Sequence, residues 1–470
     1  MDFGIDGPKS VRRFLGVLGV AAIASASGAQ VVDDLGLGFL DHEIFPEENL
    51  VVYQTPDDEV WIRSLDPTTG SFVPNDDRLL RVDIGIDPLT ASKNGPEFGI
   101  DRDGWSVFYN KTADGLLQVW RATLTSGVSP TFVPEQLSGP PFARINQLPS
   151  QSFQAATTYV LYGRDNPSNP SSIPIIAWFD EAAPNNDNFI TKAQPGFAGF
   201  RWVDETTLYT STLAHGDDAG QIVLRDASGG GPGVITNDPG TKFDPYAWVA
   251  PEFGDELRVV ASIDTPGPLG TPQQALAVYE PLANEQYWVR TAVLEIPASS
   301  GMTHVQSPEP FVAGGRSFVV VTLKDADGGV IDGDVTESQV WLFDLNDDPE
   351  RRFAVRCDDG DLGPIAHEGE AFAGTNELFI YYNYVRRIGG IGLAVTSTGI
   401  GTDGRCASVD IAPPYGTVTN DDVLRQIDLV NTGDPAADFN HDTVSDFFDL
   451  LGFLAAADAC VVQGQPSDDR

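Results

Sequence analysis

The sequence predicts an all-β chain of repeated sheets, on three observations. A short β-type run recurs seven times, at Leu50–Tyr53, Ser106–Tyr109, Tyr159–Tyr162, Thr207–Tyr209, Arg258–Ala261, Phe318–Val321 and Leu378–Tyr381. Each is followed, after a polar turn, by a second run: Val60-Trp61, Val119-Trp120, Ala177-Trp178, Val223-Leu224, Val278-Tyr279, Val340-Trp341 and Ala394-Val395. The composition is that of a turn-rich β protein, with 48 Gly, 34 Pro and only 2 Met. Repeats about 45–60 residues apart have the period of propeller blades. The expected fold is therefore a seven-bladed β-propeller, with six or eight blades as the alternatives, followed by a small α-helical module. A β-sandwich would also alternate strands, but it would not readily produce seven copies of one strand pair.

Before the repeats, residues 1–29 read as an export signal. Lys9, Arg12 and Arg13 precede an apolar run from Phe14 to Ala24. That run is too short to stay in a bilayer as a spanning helix. Ala24-Ser25-Ala26 and Ser27-Gly28-Ala29 are small-residue cleavage signals, and cutting after Ala29 leaves a chain starting at Gln30. A retained anchor is the rival reading. No other long apolar stretch follows, so no membrane span is expected after cleavage. The expected location is secreted: extracellular or cell-surface, with the periplasm as the alternative.

Residues 30–405 carry the repeats. A further element precedes several strand pairs: Asn94-Gly-Pro-Glu-Phe98, Ala250-Pro-Glu-Phe253, Ser307-Pro-Glu-Pro-Phe311 and Glu368-Gly-Glu-Ala-Phe372. An acidic or amide residue, Glu59, Gln118 or Gln339, stands before three of the Val-Trp pairs. The opening element resembles the P-x-W-S-P-D-G strand start of TolB-like propellers, with Phe for Trp and degenerate Asp-Gly turns. The resemblance implies the fold and says almost nothing of function. The first unit lacks an obvious opening strand, and residues near Gln30 to Glu48 are expected to close the last blade. Trp61, Trp120, Trp178 and Trp341 recur in register and are read as packing between blades. Trp202, Tyr246 and Trp248 fall outside that register and are the better ligand-contact candidates.

Catalytic motifs are thin. The chain has no G-x-S-x-G elbow, H-E-x-x-H, C-x-x-C or phosphate-cradling loop. His304, Gln306, His367 and Glu368 stand at the entry to the innermost strands of adjacent expected blades, with Asp244 and Tyr246 in another and Arg201 in a fourth. In a propeller those places converge on one face of the central channel. Such a group can bind a ligand or metal, or abstract a proton next to a carboxylate. Channel-lining polarity satisfied by water is the plainer reading. The acidic turn from Asp325 to Asp334 reads as a charged hairpin, with a calcium loop as the rival.

The tail is the most specific stretch. Asp438, Asn440, Asp442, the Val444 carbonyl, Asp446 and Asp449 supply oxygen ligands from a twelve-residue turn, the donor set a Ca²⁺ ion takes. An apolar helix pattern follows at Phe447, Leu450, Leu451 and Leu454. Thr443 replaces the usual glycine and Asp449 the usual glutamate. A degenerate first copy spans Asp410 to Val430, with Ala412 and Pro414 where side-chain ligands would stand, so it is expected to hold no metal. This duplicated module, bracketed by Cys406 and Cys460, resembles the GC-type dockerin-like domain of secreted planctomycete-like bacterial proteins. The resemblance covers residues 406–460 and leaves 461–470 as a flexible tail. It implies Ca²⁺ as the cofactor, a clasping Cys406–Cys460 disulfide and a cohesin-like or cell-surface tethering partner. Cys357 is read as a buried free thiol, with pairing to Cys406 as the rival.

Charge narrows the partners. With 28 basic and 68 acidic residues the formal net charge is −40. That field repels nucleic acid and anionic membranes, and favours an uncharged or cationic ligand over an anionic polymer. Two functions follow as expectations. The first is a secreted, non-catalytic binding or scaffold propeller, tethered by its tail and taking a polysaccharide or protein ligand. The second is an extracellular polysaccharide-acting, lyase-like enzyme that uses the channel face.

Overall fold

The structure is a computed structural model. It describes residues 31–87, 95–137, 233–327, 335–346, 352–400 and 420–432, apart from short gaps, with segments between 150 and 226, the pair Ala24–Ser25 and the helical positions Leu450 and Leu454. Among these residues the strands fall into seven four-stranded antiparallel units. The first unit consists of Asp41–Phe45, Leu50–Gln54, Glu59–Ser64 and Leu80–Ile84. Every unit repeats this order, with its first strand innermost. The other inner strands are Glu97–Asp101, Ser150–Gln151, Arg201–Trp202, Lys242–Val249, His304–Ala313 and Ile365–Ala373. Each lies beside the next, and the seventh lies beside the first. The architecture is all-β and of β-propeller type, with the inner strands around a central channel.

The continuous apolar runs follow from this stacking. Packing on both faces buries the whole second strand of unit one, Leu50–Gln54, so period-2 alternation disappears there, while the third strand Glu59–Ser64 keeps it. Leu50, Val51 and Val52 are fully buried. Val52 joins Phe45, Val107 and Tyr109 in the core between units one and two. Val51, one residue away, joins Ile44, Phe379, Tyr381 and Val395 between units one and seven. Adjacent residues of one strand thus hold opposite neighbours. Each such side chain contributes about 1.5–3 kcal/mol.

The residue before two of the three Val-Trp pairs holds the indole in place. In a strand, residues two apart share a face. Glu59 Oε2 therefore accepts the Trp61 indole N–H at 2.9 Å, and Gln339 Oε1 accepts that of Trp341 at 2.9 Å. In unit two the Trp120 indole instead reaches the Lys111 carbonyl, at 3.1 Å.

The ring closes through the N-terminal part of the chain. Val31–Leu37 runs antiparallel to Ile391–Ser397, from Val31 opposite Ser397 to Leu37 opposite Gly392. It supplies the outer strand of the seventh unit. Arg386 contacts Asp34 at 2.5 Å and ties the same seam. The expected closing segment thus divides: Val31–Leu37 closes the ring, and Asp41–Phe45 is the opening strand of unit one, which the sequence did not reveal. Units six and seven are joined by a parallel bridge between Ser338 and Ile365. Ala24–Ser25, within the expected export signal, runs parallel to Phe353-Ala354.

Two expectations need correction. The Ala250 to Phe253 copy of the opening element is not an inner strand, because that unit opens with Lys242–Val249. Phe253 instead caps Arg258, whose guanidinium lies 3.6 Å from the ring centroid. Trp248 is core rather than ligand contact. It is 4% exposed and donates its indole N–H to Ser317 Oγ at 3.2 Å. Cys357 is a buried free thiol, as expected. In the tail a helix spans Asn420–Thr432. The expected calcium ligands Asp438 to Asp449, Cys406, Cys460 and residues 461–470 lie outside the described residues. Among the described residues no helix is long and apolar enough to cross a membrane.

Candidate binding site at one end of the channel

Three consecutive inner strands carry the same irregularity. Their register with the second strand shifts between Phe243 and Tyr246, between Gln306 and Glu309, and between His367 and Glu370. The inserted residues Asp244, Ser307 and Glu368 take φ of 46°, 48° and 52°. Pro245, Pro308 or Gly369 follows. A β-bulge re-aims the chain at the rim of a barrel or channel. Holding a non-glycine residue in the left-handed region costs about 1–2 kcal/mol, and such strain gathers at functional sites. Gly369 is required by packing, since a Cβ there would lie 2.6 Å from Val320 Cγ2.

Just after the bulges stand glutamates. Glu309 pairs in register with Val320 and Glu370 with Tyr381. Glu43, opposite Val52, and Glu97, opposite Phe108, take the corresponding places in units one and two. All four are half-buried. Burial pushes the Glu370 carboxyl well above the usual carboxylate range, and repulsion from Glu309, Glu43 and Glu97 adds to it. Glu370 and Glu309 share a hydrogen bond. Two carboxyls in that relation hold a proton between them.

A second group spans the seam between units seven and one. Asp41 accepts the Gly95 N–H at 2.7 Å, a contact possible because Gly95 has no side chain: a Cβ would lie 2.4 Å from Asp41 Cγ. Burial raises the Asp41 carboxyl well above its usual range, and the nearby Glu368 and Glu97 raise it further. Burial also opposes ionisation of Glu368, but His367, His42 and a hydrogen bond with Asp41 bring it below its usual range. Asp41 therefore keeps the proton and Glu368 is the carboxylate.

The imidazoles of this seam are oriented. Asn383 Nδ2 donates to the carbonyls of Phe39 at 2.9 Å and Gly392 at 3.2 Å, which turns its Oδ1 toward His42 Nδ1, 2.8 Å away. His42 Nδ1 is thus the donor, and its Nε2 carries the lone pair. Burial lowers the His42 pKa to about 4, so the ring is neutral. His367 Nδ1 faces Glu368 Oε2 at 3.3 Å. The two rings are 2% and 3% exposed, and Nε2 of each is buried without a hydrogen-bond partner.

The sequence-predicted residues fall into two neighbourhoods. His367 and Glu368 belong to the seam just described. Asp244 lies in the electrostatic field of Lys324, which pairs in register with His304. His304 Nδ1 donates to Thr303 Oγ1 at 2.8 Å, because the Thr303 hydroxyl is already directed to the Asp325 carbonyl at 3.1 Å. Gln306 follows on the same strand, with its Oε1 buried and unpartnered. Tyr246 packs against the core between units five and six. Arg201 lies in the inner strand Arg201–Trp202, and its side chain is outside the described residues, as is that of Trp202. Sequence reasoning missed Asp41, His42, Glu43, Glu97, Glu309 and Glu370. The recurrent glutamate before Phe98, Phe311 and Phe372 was the available signal, read there as a mark of fold rather than of chemistry. Among the described residues no group of three or more His, Cys, Asp or Glu side chains is placed to hold a metal ion.

The chain matches no protein-family profile and no curated protein. Its likeness is to solved β-propellers at low identity. The Dos1 propeller is 11% identical with a TM-score of 0.41, covering 75% of this chain and 77% of that one. TolB from Acinetobacter baumannii is 13% identical with a TM-score of 0.38, covering 70% and 65%. The WD40 domain of SCAP from fission yeast is 8% identical with a TM-score of 0.41, covering 80% and 97%. A protein described as a glucose dehydrogenase is 12% identical with a TM-score of 0.35, covering 78% and 98%. The class rests on the chain's own strand topology: an all-β protein of β-propeller type with a carboxylate-lined channel. These distant likenesses identify no particular protein.

Proposed function

We propose that this chain is an exported, seven-bladed binding propeller whose ligand enters the channel at the end where the inner strands begin. The observation that carries the reading is the convergence of oriented, unsatisfied polar groups there: His42 and His367 at the seam, Gln306 nearby, and three strained bulges in register. Buried polar atoms without partners are costly in a folded protein, and a ligand that pairs them recovers the difference. Residues 406–460 act as a Ca²⁺-stabilised, dockerin-like anchor to a cohesin-like or cell-surface partner, with Cys406 and Cys460 as its clasp. The all-oxygen donor set at Asp438, Asn440, Asp442, Val444, Asp446 and Asp449 supports this assignment. The basic run and small-residue cleavage signals of residues 1–29 support export. A glycan and polypeptide binding screen of the chain beginning at Gln30, with product analysis alongside, tests the reading. Binding that persists unchanged after His367→Ala and Glu368→Gln would remove the channel from it.

A second reading is a lyase-like enzyme. The closeness of a buried imidazole and a carboxylate, His367 Nδ1 and Glu368 Oε2 at 3.3 Å, favours it, since a neighbouring carboxylate is what a general-base imidazole uses. Turnover of a polysaccharide that disappears with His304→Ala or His367→Ala would establish it over simple binding.

A further inference from the structure

The unpartnered atoms of the channel share one chemical property: they can accept hydrogen bonds. His42 Nε2 is a lone pair, because Nδ1 is committed as donor to Asn383. The two ring nitrogens point in nearly opposite directions, so Nε2 is turned away from Asn383. Both Glu368 and His367 act electrostatically on this ring. His367 Nδ1 lies 3.3 Å from Glu368 Oε2, a contact of ion-pair distance that leaves Oε2 without a hydrogen-bond partner, and His367 Nε2 is likewise unpartnered. Gln306 Oε1 is a third acceptor without a partner. Glu368 is ionised, and Glu43, Glu97 and Glu309 all stand close enough to act on Glu370. Among the described residues no lysine or arginine side chain is paired with Glu368, so a donor carrying positive charge is missing beside it.

Resting on the channel as the binding site, we infer that its ligand class is an organic cation with several N–H donors, an ammonium or guanidinium group. Asp41, His42, His367 and Glu368 form its seat. A divalent metal fits less well. A metal draws its ligands to about 2.0–2.6 Å, and no set of three acidic, imidazole or thiol side chains among the described residues is so gathered. An alkylammonium or guanidinium distributes its donors over a wider span at about 2.7–2.9 Å. The net charge of −40 acts in the same direction, drawing cations toward the channel. The half-buried carboxylates add specificity, because a cation partly removed from water meets weaker screening than one on the surface.

Titration calorimetry of the full chain at low salt tests this with argininamide and a lysine tripeptide amide, against the fully Nε-acetylated tripeptide, Ca²⁺ and Zn²⁺. One saturable site for a cationic probe is expected, with acetylation abolishing it for the tripeptide. Glu368→Gln should weaken it by about tenfold or more, as loss of a charged hydrogen bond does, while the exposed Glu47→Gln leaves it unchanged. If Glu368→Gln misfolds, the ¹⁵N signal of His42 Nε2 in the unmodified chain gives the same answer, since the seated cation must shift it. Equal weakening by Glu47→Gln, or many weak sites, would show only a diffuse acidic surface and overturn the inference. Saturable metal binding that displaces the organic cation would overturn it too. A neutral glycan whose binding falls with Glu368→Gln would overturn the cation alone and leave the channel as the site. No channel-dependent binding of any probe would overturn both.

Discussion

At the residue scale, His42 concentrates the chemistry of the seam. It is 2% exposed and neutral, with a folded pKa near 4 against 6.5 when unhindered. The unfolded chain therefore takes up a proton that the folded chain refuses. The stabilisation is complete above pH 6.5 and is lost as pH falls through the window from 6.5 to 4. Its size is on the order of 3 kcal/mol. Asp41 and Glu370 act with the opposite sign: their folded pKa values are raised, so their contribution is present at low pH and lost as pH rises. The His42 effect must be read by difference. Denaturant titrations of the chain and of His42→Gln should converge by about that amount as pH is lowered from 6.5 to 4. Parallel profiles would show that the ring does not titrate in this window.

A second residue-scale prediction concerns Gln339. Its side chain accepts the Trp341 indole N–H and donates to the Ser300 carbonyl at 3.0 Å. Gln339→Leu keeps the volume but leaves the indole N–H and the carbonyl unpaired, a loss of about 1–3 kcal/mol each. Equilibrium unfolding should show a drop in that range, while far-UV circular dichroism stays that of the parent. A change below about 0.5 kcal/mol would mean that water replaces both partners.

At the element scale, the decisive strand is Val31–Leu37. It covers the outer edge of Ile391–Ser397 and locks the ring through Asp34, which accepts from Tyr384 and Arg386. Without it, the last unit keeps three strands and exposes an edge that can recruit other chains. Each lost ladder bond costs about 0.5–1.5 kcal/mol. Deleting residues 31–37 should therefore destabilise the whole ring by several kcal/mol and produce aggregates on size-exclusion chromatography. A monomer with an unaltered melting transition would mean that closure depends on other contacts. The bulges are the other element-scale device. They recur at Asp244, Ser307 and Glu368, in the inner strands of three neighbouring units, and are absent from the inner strands of units one and two.

At the scale of the whole molecule, several basic residues among the described ones are drawn into ion pairs. Lys242 meets Asp238 at 2.9 Å, Arg258 meets Glu280 at 2.8 Å and Lys111 meets Asp83 at 2.7 Å. The formal net charge of −40 leaves a large acidic excess beyond such pairs. Self-repulsion of that excess is relieved by salt. The tail is a separate matter. If residues 406–460 hold Ca²⁺, excess chelator should lower or remove one thermal transition of the full chain and leave the main one in place. Asp438→Ala should reproduce this without chelator. A single transition indifferent to both would count against the calcium loop.

Much of the fold was legible because its causes are local. The repeated runs are mostly apolar, since each blade is covered on both faces, and their spacing counts the units. Gln339 and Glu59 could be seen before Trp341 and Trp61 because strand geometry places residues two apart on one face. His367 and Glu368 could be proposed because they are adjacent in the chain.

Other features were decided by tertiary structure. Asp41–Phe45 is short and polar at its start, so nothing local marks it as the strand that opens the ring. Trp248 looked free of the repeat register, yet packing between units five and six buries it. The sequence by itself determined the strand repeat, the turn-rich all-β class and the acidic field, because period, composition and charge are properties of the chain. It did not determine the seam. His42 and Asn383 are 341 positions apart, and only closure of the ring brings them to 2.8 Å. Which imidazole nitrogen carries a proton, and which carboxyl keeps one, is set by burial and by neighbours from the opposite end of the chain.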